Sequence, residues 1–224
     1  MKKTGWLEVF PLKTWAALVL TGVFFFQFRA VVSPGDFLLY WAAGKLFLQQ
    51  ANPYDAEALL SITNTIQIQP YPFVNWNPPW TLILTAPFAL LPFKLAQTLW
   101  YAILVGALLW MADWFWRFRA GSSAYREIAW LSVILFLPVL HALYLGQINL
   151  LVPIGLLLFY RAVKKKRYVL AGLAVLLVAA KPHLVFLFFL FLGLWCLKHR
   201  LWALLFAAAL SLTCLLYTSP SPRD

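Results

Sequence analysis

The sequence predicts an all-α fold, a multi-pass bundle of transmembrane helices, on three observations. Hydrophobic residues make up 63% of the 224, where a soluble domain is nearer half apolar. Several apolar runs approach the ~20 residues that a helix needs to cross a hydrocarbon core. The basic residues bracket those runs instead of spreading evenly. The weak alternating pattern of a transmembrane barrel does not occur.

The formal net charge is +11, from 18 basic and 7 acidic residues. In a soluble protein that excess would suggest nucleic acid as a partner. No nucleic-acid-binding motif is present. Cations that flank apolar runs instead set topology and attract anionic membrane lipid. Cys196 and Cys214 both sit inside apolar runs, with no metal-ligand spacing and no disulfide framework. They read as small apolar packing residues.

The elements follow in order. Lys2, Lys3 and Lys13 precede the first apolar run, and no small-residue cleavage site follows it. Residues 14–28 are therefore predicted as a retained signal-anchor helix. Further basic clusters occur at Arg117, Arg119 and Arg126, at Arg161 and 164–167, and at Lys198 and Arg200. The positive-inside rule puts all of these in the cytoplasm, so the apolar stretches between them must cross in pairs. A polar and aromatic outer loop of roughly 50 residues then runs from Arg29 to Pro79, longer than ordinary connections and predicted to be ordered and functional. The apolar part of "NPPWTLILTAPFALLPF" is only about 13 residues and is bounded by prolines, which predicts a half-inserted helix on the outer side. The predicted crossings are 95–116, 128–144 with 148–160, 168–180 with 184–197, and 201–216. The tail "YTSPSPRD", 217–224, is short, polar and proline-rich, and reads as foreign to a fold whose native part is 1–216.

This topology gathers Asp36, "NPYD" at 52–55, "NPP" at 77–79, "GQIN" at 146–149 and "KPH" at 181–183 on one outer face. Polar groups collected at one face of an apolar bundle mark a candidate site. Asp36 follows a Pro-Gly turn and places Tyr40 one helical turn on, at i+4. Both an N-cap and a site role fit it. Ala42, Ala43 and Gly44 would let that helix approach a neighbour closely. Asp55 is predicted to cap the next helix, and Glu57 reads as structural. The segment "YPFVNWNPPW", with Asn77, is either a groove for a chain-like ligand or a rigid lead-in to the half-helix. Gln147 and Asn149 form a polar turn or line a site. Lys181 lies between long apolar runs at a break made by Pro182. It would either pair with an anion such as a lipid phosphate or snorkel to the headgroups. His183 could donate a hydrogen bond or carry a proton. His141, at a span end, carries no assignment. A Gly-rich phosphate loop, a metal-ligand cluster and a nucleophile elbow are all lacking, which argues against soluble nucleotide-driven chemistry.

The ordered set "DFLLYWAAGKLF", "NPYD", "YPFVNWNPPW", "LGQIN" and "KPH" resembles the N-terminal half of glycosyltransferase family 87, also called domain of unknown function 2029. The resemblance implies a fold of C-type glycosyltransferase kind, with a long outer first loop bearing interfacial helices, in the cell membrane with its active face extracytoplasmic. Members of the family are longer, so the chain resembles a truncated domain. The resemblance implies a lipid-linked sugar donor, a hexose such as mannose on polyprenyl phosphate. It also implies a glycan or glycolipid acceptor and transfer with inversion. It names no resident cofactor and leaves room for a divalent cation. Carried over, Asp36 would be the general base and Lys181 would offset the phosphate charge. Tyr40, Asn77, Gln147 and Asn149 would hold sugar or phosphate oxygens. His183 stands beside Lys181 where members often carry another residue. A transporter or flippase of lipid-linked substrates should show more polar residues in mid-span and an inverted repeat, and neither is evident. A non-catalytic subunit of a membrane complex is a third class, distinguished by the absence of transfer.

Overall fold

A computed structural model of the chain describes residues 35–66 and 74–213, which fall in one compact unit. The anchor helix expected at 14–28 and the tail at 217–224 lie outside the described residues, as does Cys214. What is described is helical throughout, with no strand among the described residues.

The first described helix, α1 (Gly35–Leu48), buries Phe37, Leu38, Tyr40 and Trp41. Its small run packs as the sequence suggests. A Cβ added to Gly44 would lie 3.0 Å from both Ala86 Cα and Ala89 Cβ, so α3 (Leu82–Ala89) rests directly on it. Between them comes α2 (Ala56–Asn64), which starts where Asp55 caps it. One carboxylate oxygen of Asp55 accepts from the Glu57 and Ala58 N–H groups at 3.0 and 3.1 Å, satisfying amides that a helix start leaves open. Leu46, Leu59 and Leu82 join these helices in one apolar cluster. A 3₁₀ turn, Pro79–Thr81, leads into α3. At 8 residues and ~1.5 Å of rise each, α3 is only about 12 Å long.

After Pro92 the chain enters α4 (Phe93–Phe118), 26 residues long and about 39 Å by the same rise, longer than the ~30 Å hydrocarbon core. Near its end Asp113 is only 4% exposed. It pairs with Arg117 one turn later and with Arg126 at the start of α5 (Arg126–Ile134). Leaving a buried carboxylate without such partners is costly, and the Arg126 pair ties α5 back against α4.

The stretch expected as one crossing at 128–144 is instead two short helices. α5 and α6 (Leu137–Tyr144) meet at an angle of 59°. Pro138 sits in the first turn of α6, where it supplies no N–H and cannot continue the preceding helix. Then come α7 (Leu151–Lys164), α8 (Tyr168–Val178), α9 (Phe186–His199) and α10 (Trp202–Thr213). α7 and α8 form an antiparallel hairpin: a Cβ on Gly155 would fall 2.8 Å from Val178 N, and Ala162 and Ala171 share a core with Leu204 and Ala208 of α10.

Among the described helices α4 alone is long and apolar enough to cross a membrane unaided, and α5 with α6 passes only as a bent pair. α8, α9 and α10 are apolar but shorter. The all-helical class is as expected, while helix length supports fewer crossings than the charge pattern predicted.

Gly172 tests the packing. A Cβ there would lie 2.6 Å from Leu204 O and 2.9 Å from Ala208 N, both backbone atoms of α10. Gly172→Val should lower stability by about 1–3 kcal/mol through forced separation of the helices. Gly106→Ala, with nothing within 4 Å of its Cβ, should be neutral or slightly stabilising. Thermal unfolding in detergent reads both.

Candidate functional site

The start of α1 is docked onto the turn that joins α6 to α7. Gly35 has φ +57°, and an added Cβ would lie 2.4 Å from Leu145 O. Only glycine allows that approach at that dihedral. It lets the Asp36 N–H donate to the Leu145 carbonyl at 2.8 Å. One turn on, the Tyr40 hydroxyl accepts from the Ile148 N–H at 3.4 Å. The turn is held from the other side by α4. Trp100 Nε1 donates to the Gly146 carbonyl at 2.9 Å and the Tyr101 hydroxyl to the Tyr144 carbonyl at 3.3 Å. Phe37 stacks on Trp100 with ring centroids 5.3 Å apart. Asp36 thus lies inside the first turn of α1, one residue past its start, and not at the N-cap position that the sequence also allowed for it.

This docking brings Asp36 and Tyr40 to the turn that carries Gln147 and Asn149, more than a hundred residues along the chain. Asn149 Nδ2 donates to Gln147 Oε1 at 2.8 Å, and Asn149 Oδ1 is buried with no hydrogen-bond partner. The Asp36 carboxylate is partly buried and makes no ion pair among the described residues. The Tyr40 phenol is held far above its ordinary range, first by burial and then by the neighbouring Asp36 carboxylate.

A second cluster forms around Asn75. Its Oδ1 accepts from the Asn77 N–H at 3.1 Å and from Asn77 Nδ2 at 3.2 Å, and its Nδ2 donates to the Pro53 carbonyl at 3.4 Å. The Tyr54 hydroxyl donates to the Asn77 carbonyl at 3.0 Å, and burial pushes its pKa up to about 12. "NPYD" and "NWNPP" are therefore one unit. Asn77 Oδ1 is buried without a partner, while Trp76 beside it is 84% exposed. Trp80 Nε1 then donates to the Ala179 carbonyl at 2.9 Å, fastening this unit to the end of α8. Lys181 follows two residues later, partly buried and without an ion pair among the described residues. His183 is exposed.

Both clusters lie at the same end of the α7–α8 hairpin, since α7 starts just after Asn149 and α8 ends just before Lys181. No described contact joins Asp36 directly to Lys181. No group of three or more metal-ligating side chains occurs among the described residues. Sequence reasoning missed the side chains that do the positioning. Trp100, Tyr101 and Trp80 look like ordinary aromatics in an apolar chain. Asn75 was the one legible signal, an asparagine two residues before Asn77 in a proline-rich segment.

The sequence model of glycosyltransferase family 87 matches residues 75–223, more than half of the chain. The chain belongs to this family. No curated protein and no solved structure matches it. The matched stretch holds "NPP", "GQIN" and "KPH"; Asp36 and "NPYD" precede it. Family 87 membership makes the chain a glycosyltransferase, an enzyme that passes a sugar from a donor to an acceptor. Its 26-residue apolar helix accords with a membrane enzyme of that family.

Gly35→Ala should break the docking of α1 on Leu145 and destabilise the protein by more than ~1 kcal/mol, from the positive φ alone. Trp100→Phe should cost about 1–3 kcal/mol, because it strands the buried Gly146 carbonyl. Denaturation midpoints of the two variants and the parent check both values.

Proposed function

We propose that this family 87 enzyme transfers a hexose, mannose for preference, from polyprenyl phosphate to a hydroxyl of a glycan or glycolipid, on the extracytoplasmic face of a multi-pass fold. The observation that carries the reading is the Asp36 carboxylate, partly buried, free of an ion pair among the described residues, and set beside the turn of Gln147 and Asn149. A base must be kept free of strong partners and within reach of the hydroxyl it serves.

In this mechanism Asp36 accepts the acceptor hydroxyl's proton as that oxygen attacks the anomeric carbon. The anomeric C–O bond breaks, and its electron pair leaves with the polyprenyl phosphate. Lys181 offsets the charge that develops there, as a positioned cation does for a leaving anion. The partnerless Oδ1 atoms of Asn77 and Asn149 are acceptors that sugar hydroxyls could satisfy. Gln147 and Tyr40 frame the acceptor side, and His183 stands at the open edge beside Lys181. These roles are assigned by proximity to the two clusters and by the family's motifs. A lipid setting is supported by α9, which leaves Phe186, Leu187, Leu190, Phe191, Leu194 and Leu197 each more than half exposed, an apolar surface that water does not tolerate.

Membranes holding the chain are incubated with radiolabelled polyprenyl-phosphate mannose and an acceptor. Asp36→Asn should lower transfer by about 10²–10⁴-fold, the usual worth of a general base, with unchanged folded protein in the membrane. Lys181→Gln should lower it by a comparable factor. Full activity of Asp36→Asn would remove Asp36 as the base.

A further inference from the structure

The α7–α8 hairpin carries a second feature, whose charged part lies at its other end. A groove of about 470 Å³ runs between α4, α7 and α8. It is lined by Trp110, Leu158, Leu170, Leu173 and Leu177, and at the last turn of α7 and the loop after it by Arg161, Lys165 and Arg167. No acidic side chain lines it. None of the three cations makes an ion pair among the described residues. Arg161 is already placed, its guanidinium 5.3 Å from the Trp110 ring and 6.0 Å from that of Trp114. Stacking of this kind holds the planar fork and leaves its donors available. The turn after α7 closes tightly, with the Lys166 N–H donating to the Val163 carbonyl at 2.8 Å and that of Arg167 to Ala162 at 2.9 Å. This holds the backbone of Lys165 and Arg167 against the last turn of α7, which carries Arg161.

We propose that this groove binds an anionic phospholipid, with the headgroup phosphate at Arg161, Lys165 and Arg167 and an acyl chain along Leu170, Leu173 and Leu177. The chemistry selects this occupant. A soluble anion has no use for a leucine wall, and a zwitterionic lipid gains little from three unpaired cations. Leu170 and Leu173 are each 50% exposed, so the wall is open to a chain lying alongside. The cationic end of the groove is separate from the candidate sugar-transfer site, because Asn149 and Lys181 lie at the opposite end of the same two helices, towards which Leu177 extends. It depends on the protein meeting a bilayer and not on which sugar is transferred. Occupancy would brace α8 against α7 and α4 from the end remote from the chemistry.

The test is native mass spectrometry of the full chain in detergent, titrated with phosphatidylglycerol, with phosphatidylcholine of the same chains, and with glycerol 3-phosphate. Phosphatidylglycerol should stay bound where the other two do not. Lys165→Gln/Arg167→Gln should weaken it by about 25-fold, at roughly fivefold per cation near an anionic lipid. Both positions are exposed, so the variant keeps its fold. Lys198→Gln/Arg200→Gln removes the same charge outside the groove and should leave binding within about twofold. Equal losses in the two variants would overturn the site in favour of general attraction. Equal binding of glycerol 3-phosphate would overturn the lipid, and equal binding of phosphatidylcholine would overturn the role of charge.

Discussion

The placement of Asp36 and Tyr40 at the candidate site depends on the short approach of two backbones, at Gly35 and Leu145. The 2.8 Å hydrogen bond from the Asp36 N–H to the Leu145 carbonyl fixes the start of α1 on the turn before α7. Side chains alone would not hold this register. The bond needs a glycine at positive φ on one strand of the contact, and Gly146, with φ +65°, on the other. Trp100 then closes the arrangement by satisfying the carbonyl that Gly146 leaves inside the protein. A buried carbonyl without that indole would work against the turn.

The rest of the architecture extends this economy of small residues. Gly44, Gly155 and Gly172 each let a neighbouring helix come to backbone contact. In an apolar medium there is little hydrophobic gain in pairing helices, so close van der Waals approach and a few internal hydrogen bonds carry association. Indole donors supply several of those bonds. Trp41, Trp80 and Trp100 each reach a backbone carbonyl of a distant segment. Abundant tryptophan is thus a means of fastening segments as well as of filling space, with the N–H as the polar handle of a large apolar ring.

The sequence disclosed the helical class, the cap at Asp55, the close face at Ala42–Gly44 and the family, because each is a local pattern with one physical cause. Runs of apolar residues read as helices, and a small-residue run reads as a contact. It did not disclose the break at 135–136. There Pro138 turns one apolar run into two helices, and hydropathy is blind to a bend. Nor did it disclose the indole bonds, since a tryptophan's partner lies up to 99 residues away. Of the candidate residues, Asp36 with Tyr40, Gln147 and Asn149 form one neighbourhood, and Asn77 with Lys181 another. The motifs suggested a common face from charge placement. The structure adds the linkages within each neighbourhood, and these come from tertiary contacts that no single segment encodes.

Hydrogen exchange at the Asp36 amide tests the central claim most directly. An amide in the first turn of a helix has no partner within the helix and ordinarily exchanges fast. If α1 is docked on Leu145, the Asp36 amide will be protected to a degree comparable with the buried middle of α4 around Leu104. Exchange at the rate of an open helix end, with the rest of α1 protected, would contradict the docking and dissolve the site built upon it.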